Sequence, residues 1–379
     1  MRRVIRVQGV HQDEHGAAAV FVAILVVVLF GFAALAIDVG AMFSERRHLQ
    51  NGADAGSLAV AQDLAWEIVD GQFNHAAGVL GPPHPGTADY YADANARDGV
   101  ADVEDIRLDP VESGIPLTNA GEVTVTTLVN DDGSNELQHW FAGVLGIHSS
   151  AVRAEASALY APLGAVGGAF PVVVCDDLHE PDKFVEIEIK VGPQGQQEEV
   201  PTDCQTVGTW SGPSPGNFNW LETDGSCEAD LEIGDEQEGD GENPSEPGAA
   251  VPQDCRDDEE AIRQAIEDYV PGDEDNREDR SRIIALFSTI NKSGKGIYTI
   301  SGLTKFEFTG INLRPGQHQA VISDPSYSHD GWVNEECGFP QSRCVQGFFR
   351  GDVLSPGEYD DLDLVPGAQS DLFAVELTR

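Results

Sequence analysis

The sequence predicts an α+β protein in which an N-terminal transmembrane helix continues into an α+β module and a β-rich distal domain follows. An uncharged apolar run near the N-terminus, a proline-free helical pattern after it, and short strand-like runs between Gly and Pro residues support this class. The expected divisions are a cytoplasmic N-terminus at 1–16, a transmembrane helix at 17–37, an α+β module at 38–161, a linker at 162–169, and a β-rich extracytoplasmic domain at 170–379 with an acidic, partly disordered insertion at 222–280.

The apolar run at 17–37 has the length of a bilayer span. Its 21 residues carry no charged or strongly polar side chain. A helix of that length rises about 30 Å, which matches the hydrocarbon thickness of a membrane. A helix in a soluble core rarely stays apolar on all sides for so long. The sequence therefore predicts the lipid bilayer as the partner of this segment.

Arginines flank the run on both sides and bear on its orientation. Three arginines lie within the first six residues, which favours a cytoplasmic N-terminus, whereas Arg46 and Arg47 follow the run and weaken this bias. A cleaved signal peptide is the alternative, because residues 34–36 (Ala-Leu-Ala) have the small-x-small form of a cleavage site. The run is longer than the apolar core of a signal peptide, usually about 7–15 residues, and this favours a retained anchor.

The helix is expected to extend beyond the membrane. Residues 39–69 contain no Pro, are rich in good helix formers, and place apolar residues on roughly one helical stripe. Gly40, Gly52 and Gly56 interrupt this pattern, either as tolerated glycines or as points where another helix approaches closely. A rod of about 50 residues would be about 75–80 Å long. Half in lipid and half on an outer domain, it has the outline of a pilin-type subunit.

Two stretches in this region carry distinctive landmarks. Gly31-Phe-Ala-Ala-Leu-Ala-Ile-Asp38-Val-Gly40 is followed by Arg46-Arg47-His-Leu49-Gln50-Asn51-Gly-Ala53-Asp54-Ala55. Through them, residues 16–65 resemble the N-terminal segment of the TadE/TadG-like family of the bacterial Flp (tight adherence) pilus assembly system. The resemblance implies that the family motif here consists of Gly31, Asp38, Gly40, Arg47, Leu49, Gln50, Asn51, Ala53, Asp54 and Ala55. Glycines at 52 and 56 replace the alanines usual in the family.

The resemblance also implies a function: a membrane-anchored, non-enzymatic accessory component of pilus assembly and surface attachment, whose partners are other pilus-assembly or envelope proteins. Prepilin-like members are cut after a Gly and carry Glu at the fifth position beyond it. Phe21 stands at that position after Gly16, which favours the TadG-like type that is not cut. Residues 140–147 (WFAGVLGI) are similar to a further segment of these proteins.

The pilin-like α+β module is predicted from alternating helical and strand-like patterns between 88 and 160. Helices are expected at 88–98, before Gly99, and from Ser134 or Asn135 to Leu145, before Gly146. The expected strands are Val103–Leu108, Glu122–Val129 and Ser149–Tyr160.

The distal half contains short strand-like runs with Gly and Pro turns, which predict a β-sandwich or barrel-like domain. These runs are Pro171–Val174, Phe184–Val191, Ile297–Ile300, Phe306–Phe308, Gln319–Ile322, Gly347–Phe349 and Phe373–Leu377. Within the acidic insertion, residues 234–248 are expected to be disordered and Asp257–Tyr269 to form a helix.

Six cysteines lie after residue 170, and none forms a CxxC pair or has His at zinc-site spacing. An even number beyond a membrane segment predicts up to three disulfides, and free buried thiols are the alternative for a cytosolic domain. Fifteen pairings are open, of which Cys337–Cys344 is the easiest to close locally. The candidate disulfide cysteines are Cys175, Cys204, Cys227, Cys255, Cys337 and Cys344.

The charge balance excludes one class of partner. The chain has 22 Lys and Arg against 65 Asp and Glu, a net charge of −43. Such a field repels phosphate backbones, so we expect no nucleic-acid binding. The acidic insertion could bind divalent cations weakly, but it lacks the fixed ligand spacing of a calcium loop.

The sequence contains no HExxH or P-loop motif. We therefore expect no catalytic residue, no cofactor and no defined metal site. Asp324, Ser326 and Ser328 fit the DxSxS pattern of metal-dependent adhesion sites, but only 51 residues follow, so a local turn is the better interpretation. The alternative function is an exported adhesin, or a glycan- or protein-binding envelope protein, with a cleaved signal peptide.

Overall fold

The computed structural model describes residues 15–76, 84–95, 101–112, 114–129, 137–189, 204–207, 218–223, 226–238, 251–291, 297–313, 319–322, 343–354 and 360–378. These residues form two compact units. Unit 1 takes its described residues from 1–56, 85–106 and 125–156, and unit 2 takes them from 57–84, 107–124 and 157–379.

Four α-helices and eighteen strands lie in the described ranges. The helices are α1 (His15–Val69), α2 (His84–Asn95), α3 (Arg256–Glu267) and α4 (Glu274–Asp279). The strands are β1 (Asp102–Asp109), β2 (Gly121–Val129), β3 (Leu137–Gln138), β4 (Ser149–Ser150), β5 (Val152–Ala169), β6 (Val172–Cys175), β7 (Phe184–Ile189), β8 (Gln205–Val207), β9 (Phe218–Trp220), β10 (Ala229–Glu232), β11 (Glu236–Glu238), β12 (Ser281–Asn291), β13 (Ile297–Asn312), β14 (Ala320–Val321), β15 (Arg343–Arg350), β16 (Asp352–Leu354), β17 (Asp360–Leu364) and β18 (Leu372–Thr378).

α1 is one unbroken helix of 55 residues, as predicted. The absence of proline and the abundance of helix formers let it continue past the apolar segment. Between residues 20 and 37 every side chain except that of Ala34 is exposed. In the described part of the chain, α1 is the one helix long and apolar enough to cross a membrane. Its exposed apolar surface fits single-pass anchoring.

In unit 1, α2 packs closely against α1. A Cβ at Gly52 would lie 3.1 Å from the carbonyl oxygen of Ala92, and a Cβ at Gly56 would lie 3.4 Å from that of Ala88. The two glycines are one helical turn apart on one face, so together they form a groove for the backbone of α2. Of the two interpretations of these glycines, the close approach of a second helix is confirmed.

A nine-stranded sheet lies at the centre of unit 2. Its strand order is β7-β15-β13-β12-β6-β9, with β11 and β14 also paired to β13 and β8 paired to β12. β12 pairs antiparallel with β13 and parallel with β6. Along β6, Val172 and Val174 enter one apolar core, whereas Val173 and Cys175 enter another. The middle of this sheet is therefore buried on both faces.

Different layers cover the two faces of the nine-stranded sheet. On one face α3 contributes Ile262 and Ile266 to the core. On the other face β5, β16 and β18 contribute Leu163, Leu354 and Leu372. These three strands belong to a seven-stranded sheet with the order β1-β2-β5-β18-β16, in which β10 and β17 also pair with β5. The α+β class is confirmed, and this face-to-face packing agrees with the predicted sandwich.

Two parts of unit 2 differ from the sequence-based expectations. The sequence analysis predicts no strand over β12, because the sequence SRIIALFSTIN is apolar without strict alternation. The strand is buried on both faces of the sheet, so apolar residues occur at successive positions and do not alternate with polar ones. Residues 162–169, expected to be a linker, are the second half of β5. A Cβ at Gly164 would lie 2.3 Å from the Val365 side chain, so this glycine permits close packing of strands.

The prediction of a helix that ends at Leu145 is also wrong for most of the residues that the structure describes there. Residues 137–138 form β3, and only Ala142–Leu145 form a short 3₁₀ helix. The two predicted runs at 297–300 and 306–308 are one long strand, β13. In the insertion, the predicted helix is confirmed as α3, residues 236–238 form β11, and residues 239–248 lie outside the described residues.

We expect Gly52→Leu to separate α2 from α1, because the new side chain must displace backbone atoms of Ala92; overpacking of this kind costs about 1–3 kcal/mol. Hydrogen exchange of residues 84–95 in the purified full-length chain should become faster. Gly40→Leu is the matched control, since a Cβ at Gly40 meets no atom within 4 Å. Equal exchange in the two variants would contradict the close approach.

Candidate functional site

Asp38 of the family motif lies at the end of the apolar segment and binds a distant part of unit 1. Its side chain is buried, with 4% exposed. One carboxylate oxygen accepts the backbone N–H of Trp140 at 3.0 Å, and the other accepts those of Phe141 at 3.1 Å and Ala142 at 2.6 Å. Three consecutive N–H groups therefore surround one carboxylate.

The segment bound to Asp38 is a small hairpin, residues 137–150, called here the Asp38 hairpin. β3 and β4 pair antiparallel at its base, and the N–H of His139 donates to the carbonyl of His148 at 2.9 Å. The turn contains the 3₁₀ helix and ends at Gly146, whose φ of 86° lies in the left-handed region that glycine adopts without strain. The Asp38 carboxylate faces the N-terminal end of this 3₁₀ helix, where N–H groups lack helical partners.

Large apolar side chains project from the Asp38 hairpin into solvent. Trp140 is 81% exposed, Ile147 55% and Phe141 43%. Their backbone is nevertheless fixed by Asp38 and by the strand pair at the base of the hairpin. The hairpin thus combines a held backbone with an exposed apolar surface.

The environment of Asp38 favours its ionised form. Burial of the carboxyl raises its pKa, but the backbone hydrogen bonds from Ala142, Trp140 and Phe141 and the charge of His139 lower it. The net result is an Asp38 pKa below its ordinary value. The hydrogen bonds thus favour a charged carboxylate directly beside the apolar segment.

The other motif residues fall into packed and exposed groups. Leu49 is buried, and its carbonyl accepts the hydroxyl of Thr127 at 2.9 Å. The Gln50 amide donates to Asp54 and to the carbonyl of Glu155, both at 2.9 Å. Ala53 is buried and Ala55 is half-buried, whereas Gly31, Gly40, Arg47 and Asn51 are exposed. The structure therefore places Asp38, Leu49, Gln50 and Ala53 in packing contacts of unit 1; a functional role for the motif stays a prediction.

A charged cleft of about 720 Å³ lies in unit 2. Glu307 within it accepts hydrogen bonds from Arg280 at 2.7 Å and from Arg350 at 2.8 Å. Burial raises the pKa of Glu307, but the charges of the two arginines lower it, and the net shift is downward. Lys305 is paired with Glu278 and Asp352. Arg280, Arg350 and Lys305 are thus all paired with carboxylates, and we interpret the cleft as a structural network of ion pairs.

The described cysteines of unit 2 are all in disulfides. The structure pairs Cys175 with Cys204 and Cys227 with Cys255. Cys344 is also disulfide-bonded, whereas Cys337, its expected local partner, lies outside the described residues, as do Asp324, Ser326 and Ser328.

One group of candidate metal ligands occurs in the described part of the chain. It consists of Cys175, Asp176, Asp177 and Cys204. Because its two sulfurs are bonded to each other, they cannot act as thiolate ligands.

Sequence reasoning missed the contact between Asp38 and residues 140–142. The two segments are 102 positions apart in the chain, and local patterns do not show which distant backbone a carboxylate binds. The available signals were an acidic residue directly after a membrane span and the resemblance of residues 140–147 to a family segment. Each signal indicated that its own segment is important, but neither signal indicated that the two segments contact each other.

We expect Asp38→Asn to loosen the Asp38 hairpin, because an amide offers one uncharged acceptor where the carboxylate accepts three N–H groups. Hydrogen exchange at residues 139–148 of the full-length chain should become roughly tenfold faster, as for loss of charge-assisted hydrogen bonds. Glu45→Gln, which removes one charge from the same helix, is the control and should leave the exchange unchanged.

The same contact gives a pH dependence. Because the native pKa of Asp38 is lowered, its contribution to hairpin stability is fully present above the ordinary Asp value, about 3.9, and is lost as the pH falls through the lower native value. Protection that declines already at neutral pH, or declines equally in Asp38→Asn, would refute this role.

The N-terminal segment matches a known family. Residues 16–63 match the Tad family model, described as Flp pilus-assembly TadE/G-like. No curated protein and no solved structure matches the chain. The matched range contains every residue of the predicted motif from Gly31 to Ala55. The resemblance seen in the sequence is therefore confirmed by a family-model match over residues 16–63.

Proposed function

We propose that the protein is a membrane-anchored, non-enzymatic accessory component of Flp pilus assembly and surface attachment. The match of residues 16–63 to the TadE/G-like family carries this proposal. The structure supports it through α1, whose apolar half is exposed and whose residues Gly52 and Gly56 pack against α2 within unit 1. The protein would act by helix packing against other pilus-assembly or envelope proteins.

The protein is proposed to keep its anchor. A prepilin peptidase substrate of this family carries Glu at the fifth position after the cleaved Gly, and Phe21 occupies that position here. An intact α1 leaves residues 17–37 in the bilayer and makes the protein a fixed component of the envelope. This is the TadG-like behaviour.

The proposed orientation places the N-terminus in the cytoplasm and the C-terminal bulk outside. Arginines within the first six residues support it, because positive charges favour the cytoplasmic side. The disulfides Cys175–Cys204 and Cys227–Cys255 support it independently, because disulfides persist in oxidising compartments.

We expect a strain that lacks this protein to lose surface pili, and the full-length chain to restore them. Electron microscopy of the cell surface and recovery of sheared pilin provide the measurement. Asp38→Asn should restore fewer pili than Glu45→Gln, since only the former disturbs the Asp38 hairpin. Normal piliation without the protein would contradict this function; ligand binding by the purified chain would then favour the alternative of an exported adhesin.

Single introduced cysteines test the orientation, with the labelling of the unchanged chain subtracted as the background from its native cysteines. A membrane-impermeant maleimide should label Gln264→Cys, on the exposed side of α3, in intact cells. It should label Gln8→Cys only after lysis. The reverse pattern would place the bulk of the chain in the cytoplasm.

A further inference from the structure

We propose that the Asp38 hairpin is a second membrane contact, which inserts Trp140, Phe141 and Ile147 into the interfacial region of the bilayer that α1 enters. The proposal rests on the membrane anchoring described above and adds a contact that the apolar helix does not itself provide. Its ligand is the phospholipid bilayer at the level of the glycerol and upper acyl groups.

The depth of the hairpin follows from its bond to α1. Residue 37 ends the apolar segment, and Asp38 lies about 1.5 Å further along the helix axis. The nitrogens of residues 140–142 lie within 3.3 Å of the Asp38 carboxylate. The hairpin backbone is therefore within a few ångströms of the hydrocarbon boundary wherever that boundary meets the end of the apolar segment.

The exposed side chains have the chemistry that this region selects. Trp is enriched at membrane interfaces, because its ring is apolar while its N–H can still bond to water or to lipid head groups. Phe141 and Ile147 belong to the same hairpin and are also exposed. Three large apolar side chains on a held turn are costly to leave in water and favourable at a lipid surface.

The charges nearby are compatible with this position. The carboxylate of Asp38 is buried beneath three N–H groups, so it does not present a bare negative charge to lipid. Arg46 and Arg47 are exposed on the next turns of α1. Helical side chains tilt toward the N-terminus of their helix, so these arginines lean back toward the membrane, where they can reach lipid phosphates. With Glu45 beside them, residues 45–47 carry a net charge of +1, although the chain as a whole is acidic.

Fluorescence quenching in vesicles tests the contact. The full-length chain is reconstituted into phosphatidylcholine vesicles that carry bromine at shallow (6,7) or deep (11,12) acyl positions. We expect shallow bromine to quench more of the emission than deep bromine. Trp140→Phe should reduce the shallow quenching at least about twofold, because an exposed interfacial Trp is its main source. Trp66→Phe is the matched control and should leave the quenching as in the unchanged chain.

Flotation of each variant with the vesicles separates this proposal from the anchoring on which it rests. A chain that does not float contradicts membrane anchoring itself. A chain that floats but shows the same shallow quenching with and without Trp140 overturns the second contact, and so does stronger quenching by deep than by shallow bromine. In that case the exposed side chains are available to a protein partner or a second copy of the chain.

Discussion

The organisation of unit 1 depends on one buried carboxylate at the end of a helix that is otherwise suited to lipid. A charge in this position is costly unless its oxygens are hydrogen-bonded. Asp38 meets this requirement with the backbone of residues 140–142, more than one hundred positions away in the chain. The same bonds supply partners for N–H groups of a turn that has little regular structure of its own. The same three hydrogen bonds thus provide donors for the buried Asp38 carboxylate and acceptors for the N–H groups of the turn.

Further along α1, packing depends on the small size of the side chains and not on a buried charge. Gly52 and Gly56 lack a Cβ, and the carbonyls of Ala92 and Ala88 come close to the positions that such Cβ atoms would occupy. Leu49 and Gln50 lie in the same stretch of helix and contact Thr127 and the backbone of Glu155. This stretch of α1 therefore presents a packed face, and the apolar part that precedes it is exposed.

Patterns with a regular period were predictable, and contacts across the chain were not. The apolar half of the long helix follows from its unbroken hydrophobicity, and the amphipathic α3 and the alternating first half of β5 follow from local periodicity. β12 was not predicted because a strand buried on both faces shows no alternation of polar and apolar residues. Residues 162–169 were expected to be a linker because they are rich in glycine, whereas Gly164 allows a close contact between strands. The motif residues remain a prediction from the sequence, and the partner of Asp38 depends on tertiary folding that no local pattern shows.

The disulfides of unit 2 bear on when this unit can finish folding. Cys175 and Cys204 lie in the core between the sheets, and Cys255 lies in the core beneath α3. Once those cores close, their sulfurs are shielded from oxidants, so the bonds must form while the chain is still partly open. A reducing compartment would leave both pairs as thiols, so these cores close with their cross-links only where the surroundings are oxidising.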